Sequence, residues 1–202
     1  MIALIDYGAG NLTSVRKALR AVGVEFSTPA APAACATASG LIVPGVGHFA
    51  ATERLVGPWR DAIRTAVDKG TPLLGICVGM QWLFEGSDEA PDVPGLGVLP
   101  GRVRRLQGDP PRQLKVPHVG WNALDFRSDA RLFTGLSSGA QVYFTHSYAA
   151  PLTGECVAST EHANTFSSVV ERDNIFGVQF HPEKSGNAGL QILRNFLQVC
   201  PC

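Results

Sequence analysis

Short apolar runs alternate with segments of helical periodicity through the first half of the chain. The apolar runs predict buried strands at 2–6, 24–28, 40–45 and 71–76. After the first strand, Asn11 can cap a helix that Gly23 ends, and a second helix is predicted at 59–69. Strands separated by helices favour right-handed crossovers, and therefore a parallel sheet that helices cover on both faces.

The second half is richer in β-type residues, with turn residues between the runs. Its runs lie at 97–106, 115–124, 140–148, 155–160, 166–172 and 174–180. They predict strands that pair antiparallel or extend the sheet. A last helix is predicted at 187–199, with an apolar face formed by Leu190, Leu193, Phe196 and Leu197.

The domain organisation follows from what separates these elements. The Pro- and Gly-rich segment 86–101 is interpreted as a loop over a site and not as a hinge. No internal repeat and no long polar linker marks a boundary. The pattern predicts one α/β domain over residues 1–202. We expect a flavodoxin-like architecture with a mostly parallel central sheet, helices on both faces and a β-rich C-terminal half.

Composition narrows the classes of partner. The 202 residues have a formal net charge of zero, so a nucleic-acid-binding surface is not expected. No apolar run approaches the roughly 18 residues that a membrane span needs, and no basic leader precedes an apolar segment. We therefore expect no membrane partner and a cytoplasmic location.

Neither a metal nor a cofactor is predicted. The five cysteines are irregularly spaced, which argues against a disulfide framework. Cys200 and Cys202 lack the further ligands that zinc needs. The glycines after the first strand tempt a dinucleotide interpretation, but the third glycine is missing and Asp6 precedes them instead of following about twenty residues later.

Cys77 lies between a strand expected to end at Ile76 and a helix expected to begin near Gly79. The sequence Gly75-Ile-Cys-Val-Gly79 matches the G-x-S-x-G nucleophile turn with sulfur in place of oxygen. The glycines permit close approach of neighbouring backbone, and amides at a helix start favour a thiolate. Cys77 is a candidate nucleophile, and a small packing residue at a strand end is the alternative.

A thiolate nucleophile needs a base and a group that orients the base. His181 and Glu183 directly follow the predicted strand 174–180. Since strand ends converge at one edge of a parallel sheet, His181 can meet Cys77 despite their separation in sequence. His-Pro-Glu alone could be a surface turn, but two motifs that each end a strand favour a site.

Acyl transfer also needs backbone donors for an oxyanion. Pro44-Gly-Val-Gly47 follows the third predicted strand, and its glycines permit a peptide to present its N–H. An ordinary strand-to-helix turn is the alternative. His48, directly after this segment, is expected to be a partly exposed residue at a helix start.

These motifs resemble the class I, triad-type glutamine amidotransferases, through GICVGMQ and QFHPE. The resemblance extends from residue 2 to about residue 198. The wider pattern is similar to the glutaminase subunits of imidazole glycerol phosphate synthase, and its motifs are IDYGAGNL, PGVGHF, GICVGMQWLF, KVPHVGWN, YFTHSY and QFHPEKS.

The resemblance implies a glutaminase that forms a cysteinyl thioester. Cys77 would attack the side-chain amide of glutamine, His181 would pass the proton to the leaving nitrogen, and Glu183 would orient His181. The residues matching the oxyanion segment are Gly45, Val46, Gly47 and Val78. Gln81 and Glu89 match glutamine-holding positions, and the backbone of His146, Ser147 and Tyr148 matches the strand beside the bound amino acid.

The resemblance also implies a partner, a (β/α)8-barrel cyclase subunit that forms a heterodimer with the chain. Ammonia would pass to the cyclase, which makes imidazole glycerol phosphate and aminoimidazole carboxamide ribotide in histidine biosynthesis. The positions matching the face toward the cyclase are Trp121, Asn122, Tyr143 and Lys184. Trp121 could equally be a core residue, and Lys184 could be a solvated charge.

Other interpretations stay open at this point. A glutaminase subunit of an anthranilate or pyridoxal phosphate synthase would keep the same three catalytic residues. A stand-alone cysteine hydrolase or peptidase would act without a partner. A non-catalytic regulatory module would keep the fold but would not need an intact triad.

Overall fold

A computed structural model describes residues 1–126 and 129–201 of the chain. Its strands are β1 (Ile2–Leu4), β2 (Phe26–Ser27), β3 (Gly40–Gly45), β4 (Leu73–Cys77), β5 (Gly86–Ser87), β6 (Ala90–Pro94), β7 (Arg102–Arg105), β8 (His118–Ala123), β9 (Asp125–Phe126), β10 (Gln141–His146), β11 (Tyr148–Ala149), β12 (Cys156–His162), β13 (Asn164–Arg172) and β14 (Ile175–Val178). Its α-helices are α1 (Leu12–Ala21), α2 (Pro58–Asp68), α3 (Val78–Leu83) and α4 (Gly186–Val199). Short 3-10 helices lie at Pro32–Thr37, Phe49–Leu55, Arg131–Phe133 and Pro182–Lys184.

The central sheet combines a parallel half with an antiparallel half. Its strand order is β2-β1-β3-β4-β14-β13-β12-β9. The first five of these strands pair in parallel, and the remaining pairings are antiparallel. In chain order the parallel strands run 2-1-3-4-5, which is the flavodoxin-like order. The predicted fold class is therefore confirmed.

The helices form where the periodicity predicts them, with ends shifted by one or two residues. The side chain of Asn11 accepts a hydrogen bond from the Ser14 N–H at the start of α1. Gly23 follows the helix end with a φ of +77°, which a residue with a side chain adopts only with strain. In α4, Leu193 and Phe196 are fully buried. Leu190 and Leu197 pack only partly against the core.

Segment 86–101, which was predicted to be a loop over a site, contains strands. It contains β5 and β6, which pair antiparallel, and β5 also pairs in parallel with β7. These strands and β11 form a small sheet in the order β11-β7-β5-β6. The loop prediction was wrong here because β5 and β6 are short and contain the glycine and prolines that are typical of turns, which mask the strand pattern.

A two-stranded sheet of β8 and β10 stands beside the central sheet. Hydrogen bonds connect this sheet to the segment that follows β14. The His181 N–H donates to the Tyr143 carbonyl at 2.9 Å. The Ser185 hydroxyl accepts the Tyr143 N–H at 2.9 Å and donates to the His181 carbonyl at 2.7 Å. No helix among the described residues is long and apolar enough to cross a membrane.

Strand register brings the predicted motifs to one edge of the central sheet. At the carboxyl ends of β3 and β4, Gly45 is the register partner of Cys77. On the other side of β4, Val178 near the end of β14 pairs with Ile76. Ligands bind outside the carboxyl ends of strands in open α/β sheets, so this edge is where a site is expected.

Candidate active site

Cys77 occupies a sharp turn between β4 and α3. The strand ends at Cys77 itself and the helix begins at the next residue, so the turn is tighter than the sequence predicts. Cys77 has a φ of +54° and a ψ of −111°, a conformation that residues with side chains rarely adopt. Such strain persists where the surroundings hold it, and it is concentrated at functional sites.

The glycines beside Cys77 are required by close packing. A Cβ on Gly75 would lie 2.6 Å from the carbonyl oxygen of Gly79, so the first turn of α3 rests directly on β4. Real Cβ atoms essentially never approach another atom so closely. The two glycines of the motif therefore permit the turn that presents Cys77 at the sheet edge.

His181 and Glu183 form a buried pair beside this turn. Nδ1 of His181 lies 2.8 Å from Oε1 of Glu183, and both side chains are almost fully buried. Burial lowers the pKa of His181, but the neighbouring Cys77 and Glu183 side chains raise it by more. The net result is a pKa raised to about 10. The ring is therefore protonated at neutral pH. An imidazolium that pairs with a carboxylate through Nδ1 and has Nε2 free of any partner among the described residues can deliver a proton to a leaving group.

Two glutamine side chains connect the helix to the sulfur. Gln81 is buried, with only 2% of its surface exposed, so it is not a solvated helix residue. Its Nε2 donates to the Tyr148 carbonyl at 2.8 Å and to Oε1 of Gln179 at 3.1 Å. Nε2 of Gln179 in turn donates to Sγ of Cys77 at 3.7 Å. Gln81 thus helps to hold the wall of the cavity, and Gln179 holds the sulfur.

The segment expected to stabilise an oxyanion lies beside Cys77. Val46 and Gly47 line the same cavity as the sulfur. Gly47 has a φ of +87°, which explains glycine at this position. Val78 begins α3, so its N–H belongs to the first turn, where amides have no partner within the helix. His48 is exposed and caps the following 3-10 helix through the Ala50 N–H, as predicted.

Tyr7 lies behind the oxyanion segment. A Cβ on Gly45 would overlap the Tyr7 hydroxyl, so Gly45 and the phenol are in close contact. The hydroxyl is buried and has no hydrogen-bond partner among the described residues. Burial raises the pKa of Tyr7, and the Cys77 side chain raises it further. Tyr7 therefore stays neutral beside the sulfur.

A cavity of about 360 Å³ unites most of the predicted residues. Glu89 is held at its wall because Oε2 accepts the Phe49 N–H at 2.8 Å. The predicted residues that line the cavity are Val46, Gly47, Cys77, Val78, Gln81, Glu89, His146, Ser147, Tyr148, His181 and Lys184. The volume suits a ligand of amino-acid size. The site combines a thiol on a strained backbone turn, a protonated histidine and the backbone amides of the oxyanion segment. Together these groups can perform acyl transfer.

The class-I glutamine amidotransferase family matches residues 3–200. The chain belongs to this family. The amidotransferase has many relatives over its full length that share one name, imidazole glycerol phosphate synthase subunit HisH. This shared name does not favour a glutaminase subunit of an anthranilate or pyridoxal phosphate synthase.

Three of these relatives show the extent of the similarity to this amidotransferase. The HisH subunit of Thermococcus kodakarensis is 47% identical, over 98% of this chain and 100% of its own length. That of Methanosarcina acetivorans is 44% identical, over 98% of both chains. That of Salinibacter ruber is 47% identical, over 97% of this chain and 93% of its own length.

Solved structures share the fold of this amidotransferase. A crystal structure of a glutamine amidotransferase matches with a TM-score of 0.76 at 21% identity, covering 98% of each chain. A chain in the structure of PurLQS from Thermotoga maritima matches with a TM-score of 0.72 at 19% identity. That match covers 98% of this chain and 97% of the other. At these identities the similarity shows the amidotransferase fold alone.

The four positions predicted to face a partner lie on or near the β8–β10 sheet of the amidotransferase. Trp121 is 55% exposed, so it is not a core residue. Its ring meets that of Tyr143 edge-on at 6.1 Å, and Nζ of Lys184 lies 5.8 Å from the Tyr143 ring centre. Asn122 is not among the residues that line the cavity, and its Nδ2 donates to the Glu161 carbonyl at 3.0 Å.

Several residues of the amidotransferase site were missed by reasoning from sequence. Gln179 lies two residues before His181, and the alternation of a strand would have placed both on one face. Asn11, Pro117 and Thr145 also line the cavity, and only long-range folding brings them there. Among residues 1–126 and 129–201, no group of His, Cys, Asp or Glu side chains is arranged to hold a metal. Cys202 of the Cys-Pro-Cys sequence lies outside these residues.

Proposed function

We propose that this chain, as one domain over residues 1–202, is the glutaminase subunit of an imidazole glycerol phosphate synthase. The observation that carries the proposal is the position of Cys77, at a strained turn beside the His181–Glu183 pair. A packing residue would not need this conformation, and a regulatory module would not need the buried pair. The full-length similarity to HisH subunits supplies the choice of synthase.

The triad performs the hydrolysis in two stages. The Cys77 thiolate attacks the side-chain amide carbon of glutamine, and the carbonyl oxygen becomes an oxyanion. His181 gives its proton to the nitrogen, the C–N bond breaks, and ammonia leaves a cysteinyl thioester. His181 then takes a proton from water, which attacks the thioester and releases glutamate. Glu183 holds Nδ1 of His181 throughout and stabilises the imidazolium.

Backbone and side chains around the triad serve the two other needs of the reaction. The peptide between Gly45 and Gly47 and the Val78 N–H stabilise the oxyanion. Gln81 and Glu89, with the backbone of the segment from His146 to Tyr148, hold the glutamine. No cofactor enters this chemistry, because both the nucleophile and the proton carrier are side chains of the protein.

The ammonia is passed to a (β/α)8-barrel cyclase subunit in a heterodimer. We assign the face toward the cyclase to Trp121, Asn122, Tyr143 and Lys184, and call it the partner face. An exposed Trp beside a Tyr and a cation is typical of residues that dominate interfaces. The cyclase uses the ammonia to form imidazole glycerol phosphate and aminoimidazole carboxamide ribotide in histidine biosynthesis. A cytoplasmic location suits this pathway.

The test is glutamate release from glutamine by the purified chain, first alone and then with a cyclase subunit and its ribotide ligand. We expect strong stimulation by the loaded cyclase, and loss of the activity in Cys77→Ala. Full activity without a partner would indicate an independent amidase or hydrolase. Activity that persists in Cys77→Ala would remove Cys77 from the mechanism.

A further inference from the structure

A line of hydrogen bonds runs from the partner face to the cavity wall through two buried histidines. Nδ2 of Asn122 lies 3.3 Å from Nε2 of His118. Nδ1 of His118 lies 3.1 Å from Nε2 of His146, and Nδ1 of His146 lies 2.8 Å from the Tyr148 carbonyl oxygen. The same carbonyl accepts the Gln81 amide. The catalytic mechanism above assigns no role to either imidazole ring.

The two ends of the line determine the direction of every hydrogen bond in it. A carbonyl oxygen only accepts, so His146 must carry its proton on Nδ1 and accept at Nε2. His118 must then donate from Nδ1 and accept at Nε2. The orientation of the Asn122 amide agrees, because Oδ1 accepts the Ala123 N–H at 2.8 Å and Nδ2 donates to the Glu161 carbonyl. One arrangement of protons satisfies the whole line.

The surroundings keep both rings in place and uncharged. His118 stacks between the rings of Phe144, at 4.7 Å, and His162, at 4.0 Å. Burial and the neighbouring histidines lower the pKa of His118 to about 3. Burial also lowers the pKa of His146, to about 4, although the hydrogen bond to Tyr148 opposes this effect. Both imidazoles are therefore neutral at physiological pH and can each donate only once.

The line continues beyond the carbonyl to the nucleophile. Gln81 also donates to Gln179, and Gln179 donates to the sulfur of Cys77. A carbonyl that accepts from His146 as well as Gln81 is held from two sides. Chains of hydrogen bonds in a buried setting strengthen one another, so the loss of one donor is felt along the line.

We propose that His118 and His146 are positioning residues that hold the Tyr148 carbonyl and the Gln81 amide in place for glutamine. Asn122 sets the direction of the line from the partner face. This inference rests on the proposed function for its effect on glutamine. The proton arrangement itself stands apart from that function.

The proton arrangement is tested first, by NMR of the full chain with 15N-labelled histidine at pH 7. We expect both His118 and His146 as neutral rings with the proton on Nδ1. A proton on Nε2 of either ring, or a charged ring, would overturn the inference. This result does not depend on catalysis, so it separates failure of the inference from failure of the proposed function.

The effect on glutamine is tested by comparing His118→Asn with His118→Leu in the complex with saturating cyclase. The Asn amide can replace the Nδ1 donor, whereas Leu cannot donate. Loss of one hydrogen bond predicts a rise in KM of roughly tenfold for His118→Leu, and a smaller rise for His118→Asn. Equal KM values in two folded variants would show a structural role only.

A surface variant covers the case in which His118→Leu does not fold. Asn122→Ala removes the donor at the outer end of the line, together with the side-chain bonds of Asn122 to Glu161 and Ala123. The exposed Asn187→Ala at the start of α4 is its control. We expect KM to rise in Asn122→Ala and to stay unchanged in Asn187→Ala, again at saturating cyclase. An unchanged KM in Asn122→Ala, with the histidine protons as in the wild type, would contradict the role of Asn122.

Discussion

Gly79 lies so close to Val43 that a Cβ on Gly79 would overlap the carbonyl oxygen of Val43. The obstacle is backbone on a central strand, which cannot swing aside like the end of a flexible side chain. This contact packs the first turn of α3 against β3. The helix begins directly after Cys77, and its residues Val78 and Gln81 line the cavity.

Replacement of Gly79 by alanine should therefore be strongly destabilising. Overpacking of a close contact costs about 1–3 kcal/mol, and we expect the upper part of this range because backbone must move. Chemical denaturation of Gly79→Ala measures the loss. Gly154→Ala is the control, since a Cβ on Gly154 meets nothing within 4 Å. Equal stability of the two variants would show that α3 can shift without cost.

The state of His181 should govern the alkaline limit of activity. Its pKa is raised to about 10, so the imidazolium persists well above neutral pH. Glu183→Gln removes one of the groups that raise this pKa while burial, which lowers it, remains. We expect a fall in kcat on the order of a hundredfold and an alkaline limb of kcat/KM that moves to lower pH. If the alkaline limb of kcat/KM stayed at the same pH in Glu183→Gln, the limb would not report the titration of His181.

The same shift predicts how stability depends on pH. The folded-state pKa of His181 lies above the ordinary value of 6.5, so folding favours the protonated ring. The stabilisation is complete below about pH 6.5 and is lost as pH rises through about 10. Urea unfolding of the wild type and of His181→Gln across this range measures the difference. A difference that stays constant from pH 6 to 10 would contradict it.

Gln179 should matter to the nucleophile although sequence reasoning overlooked it. Gln179→Glu keeps the shape, but an ionised carboxylate cannot donate to the Cys77 sulfur and places a negative charge beside a thiolate. We expect glutaminase activity to fall roughly tenfold or more, from the loss of a hydrogen bond to a charged group. Gln198→Glu, on an exposed position of α4, is the matched control. Similar activities would show that Gln179 does not act on the sulfur.

Tyr7 carries a hydroxyl that the described residues do not satisfy. Burial of an unpaired polar group costs about 1–3 kcal/mol, so Tyr7→Phe should be as stable as the wild type or more stable. Thermal or urea unfolding of the free chain measures this. A loss of stability would reveal that the hydroxyl has a hydrogen-bond partner in solution.

Lys184 should act in stimulation by the partner more than in folding. It is exposed, lines the cavity and lies over the Tyr143 ring on the partner face. We expect Lys184→Ala to reduce cyclase-dependent stimulation several-fold while the unfolding transition stays close to that of the wild type. Lys69→Ala, at the distant end of α2, controls for loss of a surface charge. Unchanged stimulation in Lys184→Ala would remove it from the partner face.

The sequence by itself determined the features that depend on neighbouring residues. The strand from Gly40 to Gly45 matches its prediction, because an apolar run between turn residues is a local signal. Asn11 caps α1 and Gly23 ends it for equally local reasons. The glycines on both sides of Cys77 predicted a tight turn, since only glycine permits such close approach of backbone.

Only the tertiary structure decided which distant residues meet. β5 and β6 stayed hidden because their glycine and prolines are typical of turns, and only the pairing of β5 with β6 and with β7 makes them strands. The approach of His118 to His146 arises from the antiparallel register of β8 and β10, in which these two residues are partners. A period of two tells which face a side chain takes. It does not tell which strand lies beside it, because register depends on packing of the whole sheet.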